Sequence, residues 1–254
     1  MKRIRGICLI VVGVLLLVGS KATIASGISQ NYSDRQVNNL VRTAKVEESS
    51  TILSPQSIGS LTVVFNGQGF DTCEIPTASQ MQTWYVHSPY KVVNLYIGGS
   101  HRACANQGLS ASYVSQLAQQ GWKFIPTWVG PQCRYFDISS NLDTAFNQGV
   151  NEANLAVAAA ANLGLTLQDG SGSIIYYDLE GYDAINPGCR DAAKSFISGW
   201  VSQLHSLGNQ AGVYGSSIAS YMNDFVNITN PRDAVWLAHP VFSSYNQNAT
   251  VWNV

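Results

Sequence analysis

At 254 residues the chain has room for one large domain or two small ones. Only 11% of its residues are charged and its formal net charge is −1. That excludes a nucleic-acid binder working through a basic field, and a charge-driven disordered chain.

Lys2, Arg3 and Arg5 precede the apolar run Ile7–Val18, which Gly19 and Ser20 close. This is the order of an export signal, and the run is shorter than the ~20 residues of a membrane span. Thr23 and Ala25 supply a small-x-small cleavage pattern. Residues 1–25 therefore read as a signal peptide, with an uncleaved anchor as the alternative. Cys8 lies inside the apolar run. Residues 26–58 are polar, with one weak helix near Asp34–Val46, and read as a linker. The folded domain is expected over 59–254. Beyond the leader lie Cys73, Cys104, Cys133 and Cys189, an even set that predicts two disulfides in an oxidising compartment. Three pairings remain open. No C-x-x-C or H-x-x-x-H spacing occurs, so no metal and no cofactor is expected.

Leu61–Phe65 and Gly69–Cys73 read as strands broken by the hairpin-type dipeptide Asn66-Gly67. Thr77 caps a helix over Ala78–His87, and Val92–Ile97 is an apolar strand ending in Gly98-Gly99. Ser110 caps Ala111–Gln120, Gly121 stops it, and Lys123–Val129 is the next strand. Asp143–Leu163 is a long Ala-rich helix ended by Gly164. The run S-I-I-Y-Y-D-L-E-G-Y-D at Ser173–Asp183 follows, with Asn186-Pro187-Gly188 as a turn beyond it. Asp191–Leu207 is amphipathic, Gln210–Tyr214 a strand, Ser216–Phe225 a short helix and Ala234–Ala238 a last strand. Strands alternating with helices predict an α/β fold with a parallel sheet, either a (β/α) barrel or an open doubly wound sheet. Gly67-Gln68-Gly69 lacks a third glycine and leads into a strand, so no dinucleotide site is expected.

In such a fold the chemistry sits at the carboxyl ends of the strands. Those ends carry Asp71, Tyr96, Trp128, Asp178 with Glu180, Tyr214, and Trp236 with His239. Alternation puts Tyr176, Asp178 and Glu180 on one strand face. Buried carboxylates are costly unless paired or used, so acids there mark a candidate site. Aromatic faces stack on sugar rings, and paired acids serve glycosidic cleavage. His101 and His239 are candidate bases, but no serine lies in a G-x-S-x-G elbow. The plainer alternatives are Asp71 as a turn cap, Trp128 and Tyr214 as core, His239 as a loop residue, and Arg102 and Arg190 as solvated or structural groups.

The motifs G-F-D-T-C at Gly69–Cys73, L-Y-I-G-G at Leu95–Gly99 and Y-Y-D-L-E-G-Y at Tyr176–Tyr182 occur in order, followed by G-C-R at Gly188–Arg190 and G-V-Y-G-S at Gly212–Ser216. As a set they resemble the DUF1906 family, a glycoside-hydrolase-like domain of exported bacterial proteins. The resemblance covers about Gly67 to Ala238. It implies an irregular TIM-like (β/α) barrel, similar to the lysozyme-type muramidases. It also implies Glu180 as proton donor, Asp178 as the residue orienting the substrate or an internal nucleophile, and Asp71 as part of the acidic floor. Tyr96, Trp128, Tyr176, Tyr182, Tyr214 and Trp236 are the candidate substrate-binding residues. Such domains continue past the W-x-A strand to a last acidic strand, whereas Trp252-Asn253-Val254 closes this chain. A barrel lacking its last strands is therefore expected. The expected partner is a polysaccharide or peptidoglycan substrate, with no nucleic acid, membrane contact only through the N-terminal signal, and a monomeric, secreted or envelope-associated protein. A non-catalytic carbohydrate-binding domain and a purely structural exported domain are the competing classes.

Overall fold

The computed structural model describes residues 2–4, 9–12, 62–183, 185–216 and 220–238, all within one unit of the chain. The expected linker, His239 and the chain end lie outside the described residues, as does most of the leader. In chain order the strands are β1 (Lys2–Ile4), β2 (Leu9–Val12), β3 (Thr62–Val64) and β4 (Gln68–Asp71). Helix α1 (Ala78–His87), β5 (Tyr90–Gly98), α2 (Ala111–Gln119) and β6 (Lys123–Trp128) follow. Then come α3 (Leu142–Asn162), β7 (Ile174–Asp178), α4 (Pro187–Ser206), β8 (Gln210–Ser216) and β9 (Ala234–Ala238). Short 3-10 turns occupy Cys133–Tyr135 and Ser220–Phe225. Among the described residues no helix is long and apolar enough to cross a membrane.

Strands β4 to β9 lie side by side in sequence order, all parallel, with β1 antiparallel on the β4 edge. The six parallel strands curl into a half-barrel accompanied by four helices. Alternation along the strands splits the sheet into two faces. Phe70, Val93, Leu95, Phe124, Ile175, Tyr177 and Val213 face outward and pack with Met81, Leu117, Ala153, Phe196 and Trp200 of the helices. Val92, Ile125, Ile174 and Tyr176 face inward, with Phe65, Ala234 and Trp236 against them. Helical residues join only the outer cluster, which rules out the doubly wound alternative for the described residues. Burying a side chain such as Phe196 stabilises the outer layer by roughly 1.5–3 kcal/mol.

Local signals explain the helix starts. Thr77 and Gln80 form a reciprocal capping box on α1. Ser110 and Asn141 accept from Tyr113 N–H and Thr144 N–H at the starts of α2 and α3. Helix α4 begins a turn earlier than its apolar pattern suggests. Asn186 caps it, and Pro187 suits a first turn because its missing N–H would have no partner there. The expected hairpin at Asn66-Gly67 does not form. β3 pairs with β2, while β4 is taken into the sheet by β5.

Helices α3 and α4 cross at a glycine pair. A Cβ on Gly149 would stand 2.0 Å from Phe196 O, and one on Gly199 would stand 2.1 Å from Phe146 O. Two disulfides, Cys73–Cys104 and Cys133–Cys189, resolve the open pairing. They close separations of 31 and 56 residues. On a chain-entropy account each contributes between about 3 and 5 kcal/mol.

Candidate active site

Two strands deliver three acids to one mouth. Asp71 is the last residue of β4, Asp178 the last of β7, and Glu180 lies two residues further on. All three line a cleft of about 620 Å³ together with Tyr96, His101, Arg102 and Glu74. Asp71 and Asp178 are buried, at 6% and 7% exposure, whereas the Glu180 side chain is 43% exposed. Two carboxyls therefore form a floor and the third stands above it.

Two tyrosines belong to this floor. Tyr96 O–H donates to Asp71 Oδ2 at 3.2 Å. Tyr214 pairs in register with Asp178, and its ring meets Trp236 edge-on at 4.8 Å. Burial first, and then the nearby carboxylates, hold both hydroxyls far above the ordinary tyrosine range. Both remain neutral hydrogen-bond donors at any biological pH.

The main chain of D-L-E runs from the last residue of β7 into the loop beyond, where side chains from two loops hold it. The buried Gln132 donates through Nε2 to Asp178 O at 2.8 Å and accepts from Glu180 N–H through Oε1 at 2.9 Å. Its carboxamide thus acts as a peptide group from an absent strand. Tyr221 O–H donates to Leu179 O at 3.2 Å. Glu180 consequently leaves a pinned backbone although its carboxyl is accessible. Arg134 lies 3.9 Å from Glu180 Oε2, a long contact between part-exposed groups that contributes under ~1 kcal/mol. On the same side His101 Nε2 meets Asp137 Oδ2 at 2.6 Å and its ring stacks on Tyr135.

Several expected site residues stand elsewhere. Trp128 is not on the cleft: it faces outward in the core, and its indole N–H donates to Glu152 Oε2 at 2.6 Å. Tyr176 faces inward but is 2% exposed, packed beneath Trp236. Tyr182 O–H donates to Asp224, which also accepts from Arg190, so both residues anchor the loop after β7. Arg102 is structural as well, donating to Tyr96 O and Ala105 O. Among the described residues no group of three or more His, Cys, Asp or Glu is arranged to hold a metal ion. Sequence reasoning missed Gln132. Its only sequence signal is a polar residue between Pro131 and Cys133, just beyond a strand end.

Glu152 gives a pH prediction. Its burial raises the carboxyl above its ordinary value of 4.5, while the Trp128 hydrogen bond pulls the other way and loses. A raised carboxyl contributes stability at low pH that is lost as pH rises through its folded titration range. Glu152→Gln keeps an acceptor for the indole and removes that loss. The stability of the Gln variant relative to wild type should therefore grow between about pH 4 and 8, as followed by urea denaturation. Parallel pH curves would refute it.

No curated protein matches the chain. Among solved structures, a crystal structure of an uncharacterized B. stearothermophilus protein is similar, at 17% identity and a TM-score of 0.48, over 72% of this chain and 79% of that one. The model of the Rv2525c-like, glycoside hydrolase-like domain matches residues 82–253, from α1 to beyond β9. That span is well over half of the chain and contains Asp178 and Glu180. The protein belongs to the Rv2525c-like, glycoside hydrolase-like domain family.

Proposed function

We propose that this protein is an exported glycoside hydrolase acting on cell-wall glycans, peptidoglycan or a related amino-sugar polymer, with Glu180 as its proton donor. The observation that carries the reading is the convergence of Asp71, Asp178 and Glu180 on one cleft, with the D-L-E backbone pinned. Glu180, the accessible carboxyl, gives its proton to the leaving glycosidic oxygen. Asp178, on the floor, orients the sugar or an internal acetamido nucleophile and stabilises positive charge developing on the ring. Asp71 adds negative charge to the floor, and the neutral hydroxyls of Tyr96 and Tyr214 donate to it or to substrate oxygens. The half-barrel belongs to an irregular TIM-like barrel. Two disulfides and the leader over residues 1–25 support export.

One observation favours a non-catalytic glycan-binding domain on the same cleft. Glycosidase proton donors sit in apolar surroundings, whereas Glu180 is 43% exposed and faces Arg134. The deciding experiment incubates the protein with purified peptidoglycan and with N-acetylglucosamine oligomers and counts new reducing ends. Release of ends establishes the hydrolase. Retention of glycan with no new ends over hours establishes the binding domain and overturns the catalytic assignment.

The pinned backbone yields a second expectation. Gln132→Ala leaves Asp178 O and Glu180 N–H without their partner, and a misplacement of about 1 Å at a reacting group costs ~100-fold. Turnover should fall by about that factor with KM within roughly threefold, because Gln132 lies behind the acids. An unchanged kcat in a folded variant would show that Gln132 does not position Glu180.

A further inference from the structure

A second depression of about 520 Å³ adjoins the acid cleft. Both lie within the ~300–1,000 Å³ range of small-molecule sites. They share Glu74, and the chain from Ala103 to Ala105 runs along them. The wall between them is rigid. Glu74 accepts from Ala105 N–H and Asn106 N–H, both at 3.1 Å. Asn106 Oδ1 in turn accepts from Ile75 N–H at 2.9 Å, and Cys73–Cys104 ties the two loops covalently. The Glu74 carboxylate is thus committed to the wall.

Beyond that wall the lining changes character. Gln107 and Gln116 are exposed amides, and Tyr113 presents a ring whose hydroxyl is already spent on Pro76 O at 2.7 Å. Among the described residues, Glu74 is the one charged side chain that lines this depression. Amides that both donate and accept, beside an aromatic ring, suit the hydroxyl and acetamido groups of a sugar and its apolar ring face.

We propose that the depression beyond Glu74 is a second glycan subsite, filled by further sugar units of the same polymer whose linkage lies over Glu180. This rests on the glycan reading above and deepens it. The protein then recognises a chain of several sugars, and a disaccharide reaches only the acid cleft.

The test uses the full chain carrying Glu180→Gln, so that ligand survives, and titrates it calorimetrically. Probes are N-acetylglucosamine oligomers and amidase-treated peptidoglycan strands, each of two and of six sugars. The six-sugar probe of at least one series should bind tenfold or more tightly than its two-sugar counterpart. Adding Gln107→Ala and Gln116→Ala should reduce that gain to within about twofold while leaving two-sugar binding unchanged. Both side chains are exposed, and circular dichroism confirms the fold. If longer probes bind no better, or the glutamine variant keeps the full gain, the subsite is overturned while the glycan reading stands. If no probe binds the parent, both fall together.

Discussion

Glu180→Gln should lower glycan cleavage by about 1,000-fold, within the ~10²–10⁴ that a positioned proton donor supplies. The substitution is nearly isosteric. Its backbone N–H remains bonded to Gln132, and its side chain is already 43% exposed, so neither fold nor cleft shape should change. The Arg134 contact that it weakens is long and contributes little. Glycan affinity should therefore stay within about twofold, because the amide still hydrogen-bonds a sugar oxygen. Rates measured on the same polymer at saturating substrate check this. Wild-type activity in the Gln variant would remove Glu180 from the mechanism and shift attention to the buried Asp71 and Asp178.

Gly149→Ala should be strongly destabilising, although it adds a single methyl group. In an ordinary helix the change would add roughly 0.5–1 kcal/mol of stability, because alanine loses less backbone freedom than glycine. Here the new methyl carbon would stand 2.0 Å from Phe196 O and 2.8 Å from Trp200 N, atoms of the backbone of α4 that no rotamer change can move. The helices must separate, disturbing fully buried Phe196 and Trp200 and the Tyr177 ring packed on both. Overpacking costs about 1–3 kcal/mol where side chains can give way, and a net loss near 3 kcal/mol is expected where they cannot. The urea midpoint measures it. A neutral or stabilising result would mean that the α3–α4 contact is looser than its geometry states.

Much of the fold was legible because its signals are local. Helix α1 occupies Ala78–His87, the span that the Thr77 cap opens in the sequence. Strand β9 coincides with its apolar run. The convergence of the acids was legible for a related reason: Asp71 and Asp178 end strands, Glu180 follows β7, and parallel strands in sequence order put those ends on one rim. Trp128 could not be placed in the same way. Strand β6 is buried on both faces, so its alternation does not say which face is inside. Ile125 and Thr127 point inward and Trp128 must point out, which only the neighbouring strands reveal. Gln132 was illegible because its role depends on contacts 46 and 48 residues away. The α4 start was missed because Pro187 and Gly188 resemble a turn when the cap at Asn186 is ignored.

The two covalent links have one more consequence, set by their order along the chain. Cys73 joins the next of the four, Cys104, and Cys133 joins the next after it, Cys189, so the two closed loops are consecutive and never overlap. A chain that enters an oxidising space with its N-terminal end leading presents each cysteine to its proper mate before any rival has emerged. Both alternative pairings require Cys73 to remain unjoined while Cys104 passes. Oxidation in order of arrival thus yields the native connectivity with no reshuffling of earlier bonds.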